Sequence, residues 1–193
     1  MRGFVLLLLI GCQNGGAAGD PSKQPPPAAP SHGKAIEVHD LTGNISARIV
    51  PGHPCRATVD GIELLIGGEP LIAQRGETRW SGDDRGNGIT ILRDAEVAAR
   101  IVDDKVGELA LIDGQGIPMI RVITQGDDVQ VIDRQSAVVR HLMRSAKGVE
   151  VQPGPTVTGT DDRLLVAALT ATEAPPEVRA LAACHRLFAR EKQ

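Results

Sequence analysis

From Ala35 to about Thr158 the apolar residues come in short runs broken by turn-forming residues, and this punctuation is the tightest constraint on what the chain can become. Runs so brief are poor helices and good strands. Candidate strands cover Ile36 to Val38, Ile45 to Val50, Ala57 to Ile66, Pro70 to Ala73, Ile89 to Leu92, Val97 to Val102, Leu109 to Ile112, Ile117 to Ile123, Val129 to Ile132 and Ala137 to Leu142. Val149 to Val151 and Thr156 to Thr158 bring the count to about twelve. The breaks hold Asp60-Gly61, Gly67-Gly68, Asn87-Gly88, Asp113-Gly114 and Gly126-Asp127, pairs that tolerate positive φ and close hairpins tightly. A mainly β domain built of hairpins is the expected product.

A weak internal repeat runs through the middle of this region. Leu92-Arg93-Asp94 leads into Val97 to Ile101, Leu111 to Gly116 leads into Met119 to Val122, and Val131-Ile132-Asp133 leads into Val138 to Arg140. The spacing of about twenty residues is that of one hairpin. On the second returning strand, period two places Ile120 and Val122 on one face and Met119 and Arg121 on the other. Arg100, Arg121 and Arg140 end the returning strands, either as an anion-binding row or as outward residues whose stems cover apolar surface. The outward reading is the expected one.

Past Thr158 the periodicity changes. Asp161-Asp162-Arg163 can cap and start a helix, and Leu164 to Leu169 follows with apolar residues on every side, so that helix wants to be enclosed. Pro175-Pro176 ends one element and opens the next. In Glu177 to Arg190 the residues Val178, Leu181, Cys184 and Phe188 form one stripe, with Arg186, Arg190 and Lys192 toward the C-terminus where they suit the helix dipole. Hairpins therefore occupy residues 35–158 and helices 161–190.

Many meandering strands followed by an enclosed apolar helix resemble the tubby C-terminal-like barrel shared with the LURP-one and scramblase families. The Asp-x-x-Gly hairpin of Asp113 to Gly116, its degenerate copies at Asp94 and Asp133, and Asp162 leading into the Leu164 to Leu169 helix carry the resemblance. It implies about twelve strands around one central helix, over most of Ala35 to about Thr172. The fold class expected is thus a β-barrel of short hairpins around an apolar helix, with C-terminal helices. A β-sandwich with helices packed on one side is the competing architecture.

The N-terminus is of another kind. Arg2 precedes the apolar run Phe4 to Ile10, which closes in Leu9-Ile10-Gly11-Cys12 and resembles the lipobox of a bacterial lipoprotein signal. The resemblance implies a signal peptide over residues 1–11, lipidation of Cys12, and, from Gln13 in place of Asp, sorting to the outer membrane. The run is too short to span a bilayer as a helix, so lipid would provide the anchor. Residues 12–34 hold Pro25-Pro26-Pro27 among Gly and polar residues and read as a spacer that buries too little to fold. Residues 35–193 form the single folded domain. In an oxidising envelope the two remaining cysteines, Cys55 and Cys184, are an even pair and are expected to bridge.

Composition narrows the function. The net charge is −3 with both signs interspersed, which gives no field to draw the protein onto nucleic acid. One Trp, two Phe and no Tyr leave little for stacking on sugars or bases. His32, His39, His53, His141 and His185 show no zinc-site spacing, Ser136 lies in no nucleophile elbow, and no metal or other cofactor is expected. The densest polar stretch, Glu77 to Gly88, surrounds Trp80 and is read as a hairpin loop at the barrel rim; Trp80, Asp83, Asp84, Arg85 and Asn87 are its candidate binding residues. As a calcium loop it fails, because Arg85 at a ligand position repels a cation. The function expected is that of a membrane-anchored envelope lipoprotein acting as a non-catalytic binding or structural module. The alternatives are an envelope hydrolase using Asp83 and Asp84, and a lipid-handling protein. Intact mass with and without reductant tests the cysteine assignments: the mature chain should begin at an acylated Cys12 and gain two hydrogens on reduction.

Overall fold

A computed structural model describes residues 33–84, 88–104 and 108–191. Fourteen strands precede two helices: β1 (Ile36–His39), β2 (Ile45–Val50), β3 (Cys55–Val59), β4 (Ile62–Ile66), β5 (Leu71–Arg75), β6 (Thr78–Asp84), β7 (Gly88–Arg93), β8 (Glu96–Asp104), β9 (Glu108–Asp113), β10 (Pro118–Gln125), β11 (Asp128–Ile132), β12 (Val138–Ser145), β13 (Gly148–Gln152), β14 (Thr156–Thr158), α1 (Arg163–Thr170) and α2 (Pro176–Glu191). All strands belong to one antiparallel sheet that runs from β4 through β1, β14 and β7 to β5, so β1 pairs with β14 and the two ends of the sheet are consecutive in sequence. Gly67 and Ile72 exchange two backbone hydrogen bonds, at 2.9 and 3.1 Å, and nearly close the cylinder. The expected barrel is present, and the sandwich is not.

Two stretches differ from the sequence reading. Ala57 to Ile66 is two strands, because Asp60 (φ 50°) and Gly61 (φ 77°) form the tight turn their chemistry favours. Thr78–Asp84 in the polar stretch is strand β6 and not a loop, since pairing with β5 and β7 on both sides outweighs its low apolar content.

The sheet and the helices explain each other. A fourteen-strand cylinder encloses far more than its own side chains can fill, unlike an eight-strand one. Helix α1 supplies a body buried on every side, with each residue from Leu164 to Thr170 buried. Helix α2 was expected to bury one stripe, and it buries Glu177 to Cys184 without interruption. Ala180, Ala182 and Ala183 make it thin enough to lie beside α1 and against β2 to β5. Inward residues such as Ile49, Val59, Ile91, Leu111, Val122, Leu142 and Val157 join both helices in one core.

Chain direction orders the two ends of the barrel. Every even-numbered strand runs toward the end where β1 and β3 begin, called here the near end; the far end carries the turns after the odd-numbered strands. At Gly159 (φ 84°) the chain leaves β14 so close to Ala35 that a Cβ would lie 2.1 Å from its carbonyl oxygen. Helix α1 then enters from the near end, and α2 returns to it. There Cys184, fully buried, bonds to Cys55 at the start of β3, with Cα atoms 6.1 Å apart. The bridge ties the filling to the wall and closes a loop of 129 residues, for which chain entropy sets an upper scale of ~5 kcal/mol. Reducing it, or replacing both cysteines by Ala, is expected to lower Tm by roughly 10 °C in a thermal melt, given a realised loss of ~3 kcal/mol.

Candidate functional site

The site question starts with turns, because hairpin tips are what a filled barrel presents. Three of them are built alike. Asp40, Asp113 and Asp133 each aim one carboxylate oxygen at the backbone N–H groups two and four residues on: Thr42 and Asn44 at 2.8 and 2.9 Å, Gln115 and Ile117 at 3.0 and 2.8 Å, Gln135 and Ala137 both at 2.9 Å. The residue before the last of these has positive φ in each case: Gly43, Gly116 and Ser136. Asp113 and Asp133 are thus true copies, even though Ser stands for Gly in the second. Asp94 is not one. It sits in a two-residue turn with Ala95, both at positive φ, and accepts a hydrogen bond from the Arg79 N–H at 2.9 Å. The third copy is Asp40, which the twenty-residue spacing did not reach. Hydrogen bonds from the Thr42 hydroxyl and the Asn44 N–H hold the Asp40 carboxyl below its ordinary value.

The three arginines of the repeat do not form a row. Arg100 and Arg121 are exposed on the outer wall, as expected. Arg140 shares the inward face of β12 with Leu142, contrary to the outward reading, and at the far mouth its guanidinium reaches Glu173 Oε1 at 2.9 Å and Thr172 Oγ1 at 3.2 Å. Strands β8, β10 and β12 carry the same register shift, and Arg140 stands two residues past the outward Val138, at the inward place of Ala99 and Ile120, whereas Arg100 and Arg121 stand three past Val97 and Pro118. The shift between Pro118 and Ile120 buries Met119 beside Ile120, where period two put it on the opposite face.

Arg140 is one of several groups pinning the helical filling. At the far mouth Arg75 meets Glu177 at 2.8 Å, and Arg179, only 4% exposed, pairs with Asp60 and reaches the Leu169 carbonyl at 3.4 Å. At the near end Asp162 caps α1 through the N–H groups of Leu164 and Leu165, at 3.0 and 3.1 Å, and accepts both contacts from Arg186 Nε. Arg186 therefore serves a cap on the other helix besides its own helix terminus. His53 stacks on Phe188 beside the disulfide, with centroids 4.5 Å apart.

The stretch around Trp80 does not converge on one surface. Trp80 points into the barrel, is 5% exposed, and lies under the Arg93 guanidinium, 5.7 Å from the ring centroid. Its Nε1 has no hydrogen-bond partner. Asp83, three residues along the same strand, faces outward opposite Thr90. Asp84 ends β6 opposite Ile89, and Arg85 and Asn87 lie outside the described residues, as do Cys12 and His32.

The remaining titratable groups are dispersed. His39 lies 3.6 Å from Glu37, while His141 Nδ1 meets Asp128 Oδ1 at 3.2 Å on an open part of the wall. Gln130 and His141 lower the Asp128 carboxyl, the opposite of what a general acid needs. Among the described residues no three His, Cys, Asp or Glu side chains group as a metal site. A shallow depression of about 100 Å³ on the outer wall, lined by Val102, Glu108, Ala110, Arg121 and Ile123, is well below the size of ordinary ligand pockets. No family model, curated protein or solved structure matches the chain.

Because Trp80 is the sole tryptophan, its emission reports this geometry directly. Blue-shifted fluorescence with little acrylamide quenching is expected, red-shifting only on global unfolding. A red-shifted, freely quenched native spectrum would place the ring on an exposed loop instead.

Proposed function

We propose that the chain is an envelope lipoprotein, anchored through Cys12 and acting as a non-catalytic binding or structural module. The observation that carries this reading is the common placement of both ends of the domain. β1 begins and α2 finishes at the near end, whereas the three Asp-centred turns project from the far end. A spacer attached before residue 35 would hold the near end toward the membrane and present the far rim outward. The interior, packed with α1 and α2, supports a display role over lipid carriage. The divergence of Trp80 and Asp83 onto opposite faces supports it over hydrolysis by the 77–88 stretch. Kinship with the tubby C-terminal-like barrel belongs to the same proposal, supported by the near-closed antiparallel sheet and its enclosed helix; fourteen strands and a second enclosed helix are departures from that pattern.

Cell fractionation checks the anchor. Wild-type chain should sediment with outer membranes and partition into detergent, and Cys12→Ser should lose the lipid mass and its membrane-extracted form. Purified full chain should leave ester, peptide and glycosidic panels unturned; saturable turnover abolished by Asp83→Asn would favour the hydrolase.

A further inference from the structure

The wall of the barrel is interrupted between β4 and β5, the two ends of the sheet. Among the described residues their backbone pairing is the Gly67 and Ile72 bridge at the near end. From that bridge to the far mouth, Ile62–Ile66 pairs with β3 and Ala73 to Arg75 with β6, and neither pairs across the seam.

Helix α2 lies behind this gap and holds its two lips unequally. On one side Cys184 is bonded to Cys55, the buried Arg179 pairs with Asp60 in the turn from β3 to β4, and packing extends over β2, β3 and β4. On the other side the polar contact is one ion pair, Arg75 to Glu177 at 2.8 Å, and the Arg75 side chain is 55% exposed, so water competes for it. Between the bridge and that pair the inward residue of β5 is Ala73, whose single methyl group buries little apolar area. One lip is thus tied covalently, and the other by contacts that can be undone singly.

We infer that the β4–β5 seam is a gate. Its far half opens when Ala73 to Arg75 leave α2, turning about the Gly67 and Ile72 bridge, while α2 stays on β3 and β4 with its disulfide intact. The closed form predominates, because opening takes the buried Glu177 carboxylate from its counter-charge. The open form uncovers the first turn of α2 and the inner face of β5, a route into an interior that is filled when the gate is shut.

Hydrogen–deuterium exchange of the full chain in nonionic detergent, followed by mass spectrometry, tests this. Peptides covering Ala73 to Arg75 should exchange at least about a thousandfold faster than those covering Cys55–Val59 and Val178 to Ala183, which wait for global unfolding. Cys55→Ala with Cys184→Ala should speed the latter two about a hundredfold and leave β5 within about twofold, since the bridge is intact in both forms of the gate. Glu177→Gln keeps the shape and removes the charge, and should speed β5 at least about fivefold, because opening breaks that pair. Glu173→Gln weakens the Arg140 pair away from the seam and should leave β5 unchanged. Trp80 emission checks the fold of each variant. Exchange of β5 at the rate of β3 and α2, acceleration of β5 by loss of the disulfide, indifference of β5 to Glu177→Gln, or an equal response to Glu173→Gln would each overturn the inference.

Discussion

Enclosure of the α1–α2 hairpin by the sheet is the constraint from which the other features follow. A helix whose every face is apolar has no stable place in water, and a cylinder of fourteen strands has no stable interior of its own side chains. Each element answers the other's problem. The inward residues of the strands are mostly Ile, Val, Leu and Ala, with Trp80 as their aromatic, because the bulk of the filling comes as helix backbone and side chain together.

Such an arrangement needs the helices fixed both along and around the barrel axis, and polar contacts do this where the apolar core cannot. Apolar packing is non-directional. The ion pairs from Arg75, Arg140 and Arg179 at the far mouth, and the Asp162 cap with Arg186 at the near end, specify position. Helix α2 carries a further duty. It contacts β3 and β4 on one side of the incompletely paired seam and β5 on the other, with Asp60 and Arg75 reaching it from either side. The buried disulfide adds a covalent link on the β3 side. The helix thereby joins two sheet ends whose backbone pairing, among the described residues, is the Gly67 and Ile72 bridge.

With both helices in the core, the barrel presents its wall and its rims. The wall carries dispersed side chains, while the far rim carries three turns of one geometry at Asp40, Asp113 and Asp133.

Much of this was legible in the chain because it depends on local chemistry. Asp-Gly turns, short β-branched runs and an all-apolar helical segment declare hairpins and an enclosed helix wherever they occur, and the two cysteines left after the N-terminal segment declare a pair. What the sequence could not show depends on partners distant along the chain. Thr78–Asp84 is polar, and only its neighbours β5 and β7 make it a strand and turn Trp80 inward, away from the loop site its composition suggested. Arg140 looked like Arg100 and Arg121, but it stands one residue earlier in its hairpin, at the inward place of Ala99 and Ile120, and reaches the helical hairpin. The second helix showed one stripe of large residues, and its alanine faces acquired meaning only when a wall closed over them. Periodicity and turn chemistry determined the elements; strand pairing and enclosure, which join residues far apart in sequence, decided which side of each element faces the core.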